Sequence, residues 1–210
     1  MTLRKIVFAV AAVLAVGLAA APASRAQESG GADPNTVAPD EHILGAADAP
    51  ITIIEYSSLT CPHCASFHRE TLPELKENWI ETGKARLVYR HYPLDRLALR
   101  AAMVAECLDG QRYFSFLDLL FKQQQRWARA DDPIDALSRL ARMGGVGPDD
   151  FQTCVQDEPT ARRILERQVA ARNTFDVSST PTFIIEGQKV SGAQPYSEFE
   201  DILESLDSQS

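Results

Sequence analysis

A buried strand that runs almost directly into a cysteine-containing helix is the feature that most constrains this fold. Residues 51–56 are mostly β-branched and apolar over the length of one buried strand. A short polar loop follows and ends in the motif Cys61-Pro62-His63-Cys64. Large apolar residues then recur at helical spacing as far as Gly83, with a kink expected at Pro73. Residues 85–90 alternate between apolar and polar side chains, which predicts a second strand. This region should therefore form a β-α-β unit.

The rest of the chain divides into a helical block and a final strand pair. Between residues 95 and 175 the apolar period is helical, and Gly, Pro and Asp residues separate candidate helices at 97–108, 113–127, 134–143, 149–156 and 160–174. Residues 182–185 and 189–191 predict a hairpin, and residues 196–206 predict a last helix. The predicted fold class is therefore α/β, in the order β-α-β, all-helical insertion, β-β-α.

Composition and charge exclude several classes of protein. The 210 residues are 45% hydrophobic and 24% charged, which fits one globular domain with a modest insertion and excludes a rod or a wholly disordered chain. The formal net charge of −8 argues against a nucleic-acid partner. One local basic run is expected to be a solvated face, and it consists of Arg86, Arg90, His91, Arg96 and Arg100.

The N-terminus has the pattern of a secretory signal peptide over residues 1–26. Two basic residues precede an apolar stretch at 6–21, and small residues predict cleavage near Ala26. The apolar stretch is shorter than the roughly 20 residues that a membrane span needs, so an uncleaved anchor is the weaker alternative. Residues 27–41 are polar and rich in Gly and Pro, which predicts a flexible leader with folding from His42 onward. We therefore expect an exported protein.

Export permits disulfides, and the chain has four cysteines, so none need remain unpaired. Cys61 and Cys64 lie at the strand-to-helix junction, whereas Cys107 and Cys154 lie in predicted helices of the insertion. For Cys107 and Cys154 we favour a structural disulfide between two helices over a second redox couple or two buried free thiols. Closing such a loop would stabilise the fold by about 4 kcal/mol on the chain-entropy model.

The position of Cys61 favours thiolate chemistry. The unpaired N–H groups and the dipole of a helix N-terminus stabilise negative charge, and Pro62 suits the first helical position because it has no N–H to leave unpaired. His63 would place a cation next to the sulfur. Cys64, one turn deeper, could close a disulfide with Cys61, so we predict an attacking Cys61 and a shielded, resolving Cys64. Each unit by which the pKa of Cys61 falls stabilises the reduced form by about 1.4 kcal/mol, or roughly 30 mV of oxidising power.

Three features together resemble the thioredoxin-fold thiol oxidoreductases of the DsbA type: the C-P-H-C motif after a strand, the helical insertion, and Ser179-Thr180-Pro181-Thr182 before the third strand. The resemblance covers residues 42–207. It implies a thioredoxin-like domain at 42–94 and 176–210, with residues 95–175 as an inserted helical domain.

The same resemblance implies a periplasmic enzyme that donates its Cys61–Cys64 disulfide to unfolded or partly folded exported proteins through a mixed disulfide. A quinone-linked membrane protein of the DsbB type would reoxidise it. We expect no cofactor besides the redox-active disulfide, no metal, no nucleic-acid partner, and a monomer.

Further site residues carry over by position. Pro181 matches the family's cis-proline, which together with Thr180 would contact substrate backbone; an ordinary trans proline is the alternative. Glu55 matches the family's buried acid, a proton relay for Cys64, unless it faces solvent. At position 68, where the oxidase pattern has an acid, this chain has His68, which we expect to be a surface residue.

Two other functions compete with the oxidase. Thr180 is the residue found in several isomerase and reductase relatives, so a reductase or isomerase kept reduced by a membrane electron donor is the first alternative. A metal-binding module using Cys61, Cys64 and His63 or His68 is more remote, because no second C-x-x-C completes a tetrahedral set.

Overall fold

The computed structural model describes residues 36–209, so the predicted signal peptide lies outside the described residues. The central sheet has the strand order β1-β3-β2-β4-β5. Its strands are β1 (Ile43–Leu44), β2 (Ile51–Ser57), β3 (Ala85–His91), β4 (Thr182–Ile185) and β5 (Gln188–Ser191). β2 and β3 run parallel, and β4 runs antiparallel to β2. The strand β1 was not predicted, because two residues are too short to show a period.

The segment after β2 is less regular than one kinked helix. It consists of α1 (Pro62–Glu70), α2 (Leu72–Leu75) and a π-helical turn (Lys76–Ile80). The helix is interrupted at Thr71, two residues before the kink predicted at Pro73, and the Thr71 hydroxyl donates to the Gln194 carbonyl. Pro73 lies in the first turn of α2, where a missing N–H leaves no hydrogen bond unmade.

The helical insertion between β3 and β4 contains α3 (Arg96–Ala105), α4 (Gly110–Lys122), α5 (Gln124–Ala128), α6 (Pro133–Met143), α7 (Pro148–Cys154) and α8 (Glu158–Phe175). A last helix, α9 (Tyr196–Asp207), ends the fold. The single helix predicted at 113–127 is divided at Gln123, which leaves helical backbone geometry. The next residue, Gln124, is buried and points its amide at the loop before α1.

The core has three parts. One face of the sheet packs against α1 and α9 around the clustered rings of Phe67, Phe183 and Phe199. The other face carries Tyr56 against α8, and the insertion has its own cluster of large side chains. Cys61 and Cys64 belong to the insertion's cluster, so the motif is packed between the two parts of the protein. Each large side chain fully buried there stabilises the fold by about 1.5 to 3 kcal/mol.

The expectation that the basic run is a solvated face is wrong for two of its members, and the folded domain also includes residues before His42. Arg90 and His91 of the basic run are buried, because β3 lies between β1 and β2 and both its faces are covered. Arg90 donates to the Glu41 carboxylate at 2.6 Å and to the Thr36 carbonyl at 2.8 Å. Within residues 36–209, Thr36 already contacts the folded domain, before the predicted start at His42.

Candidate active site

Cys61 caps the N-terminus of α1. It has extended backbone geometry (φ −80°, ψ 120°), and Pro62 occupies the first turn. The backbone N–H groups of His63 and Cys64 help to lower the pKa of the Cys61 thiol, although the Cys61 side chain makes no capping hydrogen bond. The loop before the helix is held from the insertion, because the Gln124 side-chain amide donates to the carbonyls of Leu59 and Cys61 at 3.0 and 2.9 Å. Sequence reasoning missed Gln124, and no periodicity distinguishes a glutamine that turns inward.

The surroundings of Cys61 lower its pKa from the ordinary thiol range to about 5. The largest cause is a hydrogen bond from the Cys64 thiol, which outweighs the opposing effect of burial, and Thr180 and the backbone N–H groups add to it. When protonated, the Cys61 thiol donates to the Thr180 carbonyl at 3.3 Å. The Thr180 hydroxyl is buried without another partner in residues 36–209, so it can donate to the sulfur once that is ionised.

Cys64 has the opposite properties. It is fully buried, and this burial raises the pKa of its thiol well above the ordinary value. The hydrogen bond to Cys61, the charge on Cys61 and the carboxyl group of Glu55 raise the pKa of Cys64 further. Both residues are free thiols in the structure. The pair therefore consists of one sulfur that ionises readily and one that is kept protonated.

The cis-proline loop lies against this pair. The Thr180–Pro181 peptide bond is cis, and the hydrogen bond from Cys61 to Thr180 places the loop beside the sulfur. His63 is exposed on the helix. What His63 contributes to the low pKa of Cys61 is its backbone N–H, whereas the sequence had suggested its imidazole.

Glu55 and His68 form a buried pair beneath the motif. Glu55 is completely buried, and His68 Nε2 lies 3.0 and 3.1 Å from its two carboxylate oxygens. The His68 ring stacks on Phe121 of α4 at 4.0 Å, so the expectation that it is a surface residue is wrong. The physical reason is helical geometry: His68 follows Cys64 by four residues and shares its buried face of α1. That spacing was the signal in the sequence.

The second pair of cysteines lies elsewhere in the insertion. Cys107 and Cys154 are joined by a disulfide of 2.03 Å, with 6.2 Å between their Cα atoms. The predicted helix at 97–108 contained Cys107, but in the structure this residue lies just beyond the end of α3. Cys154 is the last residue of α7.

Comparison with known proteins now places the chain. A thioredoxin family model matches residues 37–205. The alpha-DsbA1 structure of Wolbachia pipientis is similar over 83% of this chain and 94% of that one, with 32% identity and a TM-score of 0.78. The chain belongs to the DsbA family of thioredoxin-fold proteins. BdbD of Bacillus subtilis shares the fold, at 19% identity and a TM-score of 0.70 over 80% of this chain and 94% of that one.

A protein of Rickettsia bellii extends the comparison. That protein, named as a protein-disulfide oxidoreductase, is 34% identical over 146 residues. The match covers 69% of this chain but only 54% of the relative, so the chain spans about half of that protein's length. Within residues 36–209 we find no helix suited to crossing the bilayer and no group of three or more His, Cys, Asp or Glu side chains that could hold a metal ion.

Proposed function

We propose that this DsbA-family protein is an exported thiol:disulfide oxidoreductase that donates its Cys61–Cys64 disulfide to folding proteins. The observation that carries the proposal is the opposite pKa of the two sulfurs: that of Cys61 falls to about 5, while that of Cys64 rises. A substrate thiolate attacks Cys61 Sγ, the Cys61–Cys64 bond breaks, and Cys64 leaves. A second substrate thiolate then attacks the substrate sulfur of the mixed disulfide and releases Cys61 as a thiolate. The substrate loses two electrons, and the protein becomes the dithiol.

The direction of flow follows from which state the site stabilises. A thiolate at Cys61 exists only in the reduced protein, so each group that lowers its pKa favours the reduced form and makes the disulfide a stronger oxidant. The donors at this position are the Cys64 thiol, Thr180 and the first backbone N–H groups of α1. We therefore assign the protein as a donor of disulfides.

Cys64 needs a proton when it leaves, and the buried pair below it can supply one. Glu55 is close enough to influence the pKa of Cys64, and it is hydrogen-bonded to His68. A protonated Glu55 carboxyl group can donate its proton toward Cys64, and His68 Nε2, 3.0 and 3.1 Å from the two carboxyl oxygens, holds that group in place. Glu55 is thus proposed as the proton relay, and His68 as its positioning residue.

The remaining roles complete the proposal. The backbone around Thr180 and Pro181 would pair with an extended substrate segment beside Cys61. We propose a periplasmic location after cleavage near Ala26, reoxidation by a DsbB-type quinone-linked membrane protein, a monomer, and no cofactor besides the disulfide. The alternative, a reductase or isomerase held reduced, is favoured by one observation: the residue before the cis-proline is Thr180, the type that the family resemblance associates with several isomerase and reductase relatives.

The experiment that tests the direction is a redox titration of the Cys61–Cys64 pair against glutathione. We expect a reduction potential above about −180 mV, more oxidising than protein disulfide isomerase, whereas a value near the −270 mV of thioredoxin would favour the reductase. In parallel, oxidised protein should convert a reduced peptide dithiol to its disulfide. Cys64→Ser should accumulate mixed disulfides and Cys61→Ser should lose transfer, and transfer by Cys61→Ser would refute the nucleophile assignment.

A further inference from the structure

A groove lined by arginines opens beside Cys61. Its volume is about 460 Å³, and it lies between the loop before α1, the start of α3, and α5. We call it the arginine groove, and the lining residues that matter here are Thr60, Pro62, Arg96, Leu97, Ala128 and Arg129. Thr60 and Pro62 are the immediate chain neighbours of Cys61. A segment bound in the groove therefore contacts the residues on both sides of Cys61.

The charge of the groove is positive although the chain as a whole is acidic. Arg96 and Arg129 are exposed, and neither makes a hydrogen bond or an ion pair with its side chain within residues 36–209. Asp95 also lines the groove, but both its oxygens are occupied. One accepts from the Ala98 N–H and the other from the Thr60 hydroxyl, each at 2.7 Å.

Four other arginines of the insertion are paired with carboxylates of the chain itself, and these are Arg112, Arg139, Arg163 and Arg167. What distinguishes Arg96 and Arg129 from the remaining exposed arginines is their place in the groove that adjoins the active-site motif. On a protein with a net charge of −8, two unpaired guanidinium groups beside the reactive cysteine are a local reversal of sign. Such a groove attracts anions and raises their local concentration.

We propose that the arginine groove binds an acidic, extended segment of the substrate protein, next to the substrate cysteine that reacts with Cys61. Guanidinium groups pair with carboxylates in a two-pronged geometry, which suits Asp or Glu side chains near that cysteine. Leu97 and Ala128 are partly buried and give the groove an apolar strip along which a backbone can lie. This inference rests on the proposed function and names the class of substrate that the site prefers.

The expected change in reaction rate is modest because Arg96 and Arg129 are exposed to solvent. Ion pairs at an exposed surface contribute little each, so two arginines should change the rate of the first exchange step by about tenfold. Salt screens such pairs over about 10 Å at 0.1 M, so the preference should shrink as ionic strength rises.

The test compares two single-cysteine peptides, one with Glu on both sides of the cysteine and one with Lys, reacting with the oxidised full chain. We expect the Glu peptide to react about tenfold faster at low salt, after correction for the thiol pKa of each peptide, and the difference to fall at 0.5 M salt. In Arg96→Glu/Arg129→Glu the preference should disappear or reverse. The matched control, Arg142→Glu/Arg172→Glu, changes two exposed arginines outside the groove and should keep the preference.

The outcomes separate this inference from the proposed function. If no peptide is oxidised, the proposed function fails; if both peptides react equally fast in the wild type, only the groove assignment fails. Thiolate absorbance of Cys61 should titrate alike in both double variants, which excludes an indirect effect on the sulfur. A groove that instead binds vesicles of anionic phosphatidylglycerol, with no peptide preference, would overturn the proposal in favour of a membrane contact.

Discussion

The two cysteine pairs of this chain occupy opposite ends of helices. Cys61 is the N-cap residue of α1, where the backbone N–H groups of the first turn help to lower the pKa of its thiol. Cys107 follows the end of α3 and Cys154 is the last residue of α7, so both lie where carbonyl groups and the negative end of the helix dipole disfavour a thiolate. The first pair is free in the structure and the second is bonded. The same residue type thus gives a reactive or a structural pair according to the helix end that it occupies.

The largest effect should come from removing the structural pair. Cys107→Ser/Cys154→Ser opens a loop with a sequence separation of 47 residues. The chain-entropy model predicts that the free energy of unfolding falls by about 4 kcal/mol, roughly a thousandfold in the folding equilibrium. Urea denaturation of the oxidised protein measures this.

In that variant, thiol exchange at the active pair should persist at a temperature where the protein is folded, because no hydrogen bond within residues 36–209 joins the two pairs. The matched control is Cys61→Ser/Cys64→Ser in the same assay. If removing Cys107 and Cys154 abolished exchange without unfolding the protein, the separation into reactive and structural pairs would be wrong.

The second largest effect should be seen in the ionisation of the Cys61 thiol. With a pKa of about 5, its thiol should be mostly ionised at pH 6, whereas a free thiol of pKa about 8.5 would be less than about 1% ionised, a difference of at least a hundredfold in thiolate. Ultraviolet absorbance of the reduced protein, with Cys61→Ser as the blank, measures the titration. A titration midpoint near pH 8.5 would contradict the assignment of Cys61 as the reactive sulfur of the two pairs.

The same shift predicts how stability depends on pH. The pKa of Cys61 is lower in the folded than in the unfolded protein, so ionisation stabilises the reduced fold fully above about pH 8.5. This stabilisation is lost as the pH falls through about 5. The reduced wild type should therefore lose stability relative to reduced Cys61→Ser on acidification over this window, and a constant difference would count against the low pKa.

The smallest effect should come from the buried pair below Cys64. Glu55→Gln keeps the shape of the side chain but cannot relay a proton, and we expect the step that releases Cys64 to slow by about tenfold or more at neutral pH. His68→Gln retains a donor and should slow it less. Stopped-flow measurement of mixed-disulfide formation, together with its solvent isotope effect, tests this.

Glu55→Gln should leave the stability contributed by the Cys107–Cys154 disulfide unchanged, since that pair requires no proton relay. If Glu55→Gln lowered the rate and the isotope effect stayed the same, Glu55 would have a structural role only.

Much of the fold could be predicted because its strands and helices produce local patterns of apolar residues in the sequence. The strands β2 and β3 show unbroken or alternating apolar runs, and α6 and α9 begin and end within two residues of the predicted bounds. The motif at the start of α1 predicted the chemistry of Cys61, since a helix N-terminus is defined by adjacent residues. The family resemblance, carried by that motif and by the sequence before β4, is confirmed.

What could not be predicted depends on contacts between distant parts of the chain. The burial of Arg90 requires knowing that β3 is an inner strand, and the role of Gln124 requires knowing that α5 lies over the loop before α1. The spacing of His68 from Cys64 indicates the buried face of α1, but the stacking of its ring on Phe121 joins distant parts of the chain. Such contacts produce no periodic pattern in the sequence, because each one joins two individual residues and not two whole faces of helices or strands.

The sequence by itself therefore determined which sulfur lies at a helix N-terminus, because capping and dipole effects act over one helical turn. Only the tertiary structure decided how far that sulfur ionises, which acid lies beneath its partner and which charges line its entrance. Burial and hydrogen bonding by Cys64, Thr180 and Glu55 set those properties, and they arise only when strand, helix and insertion pack together.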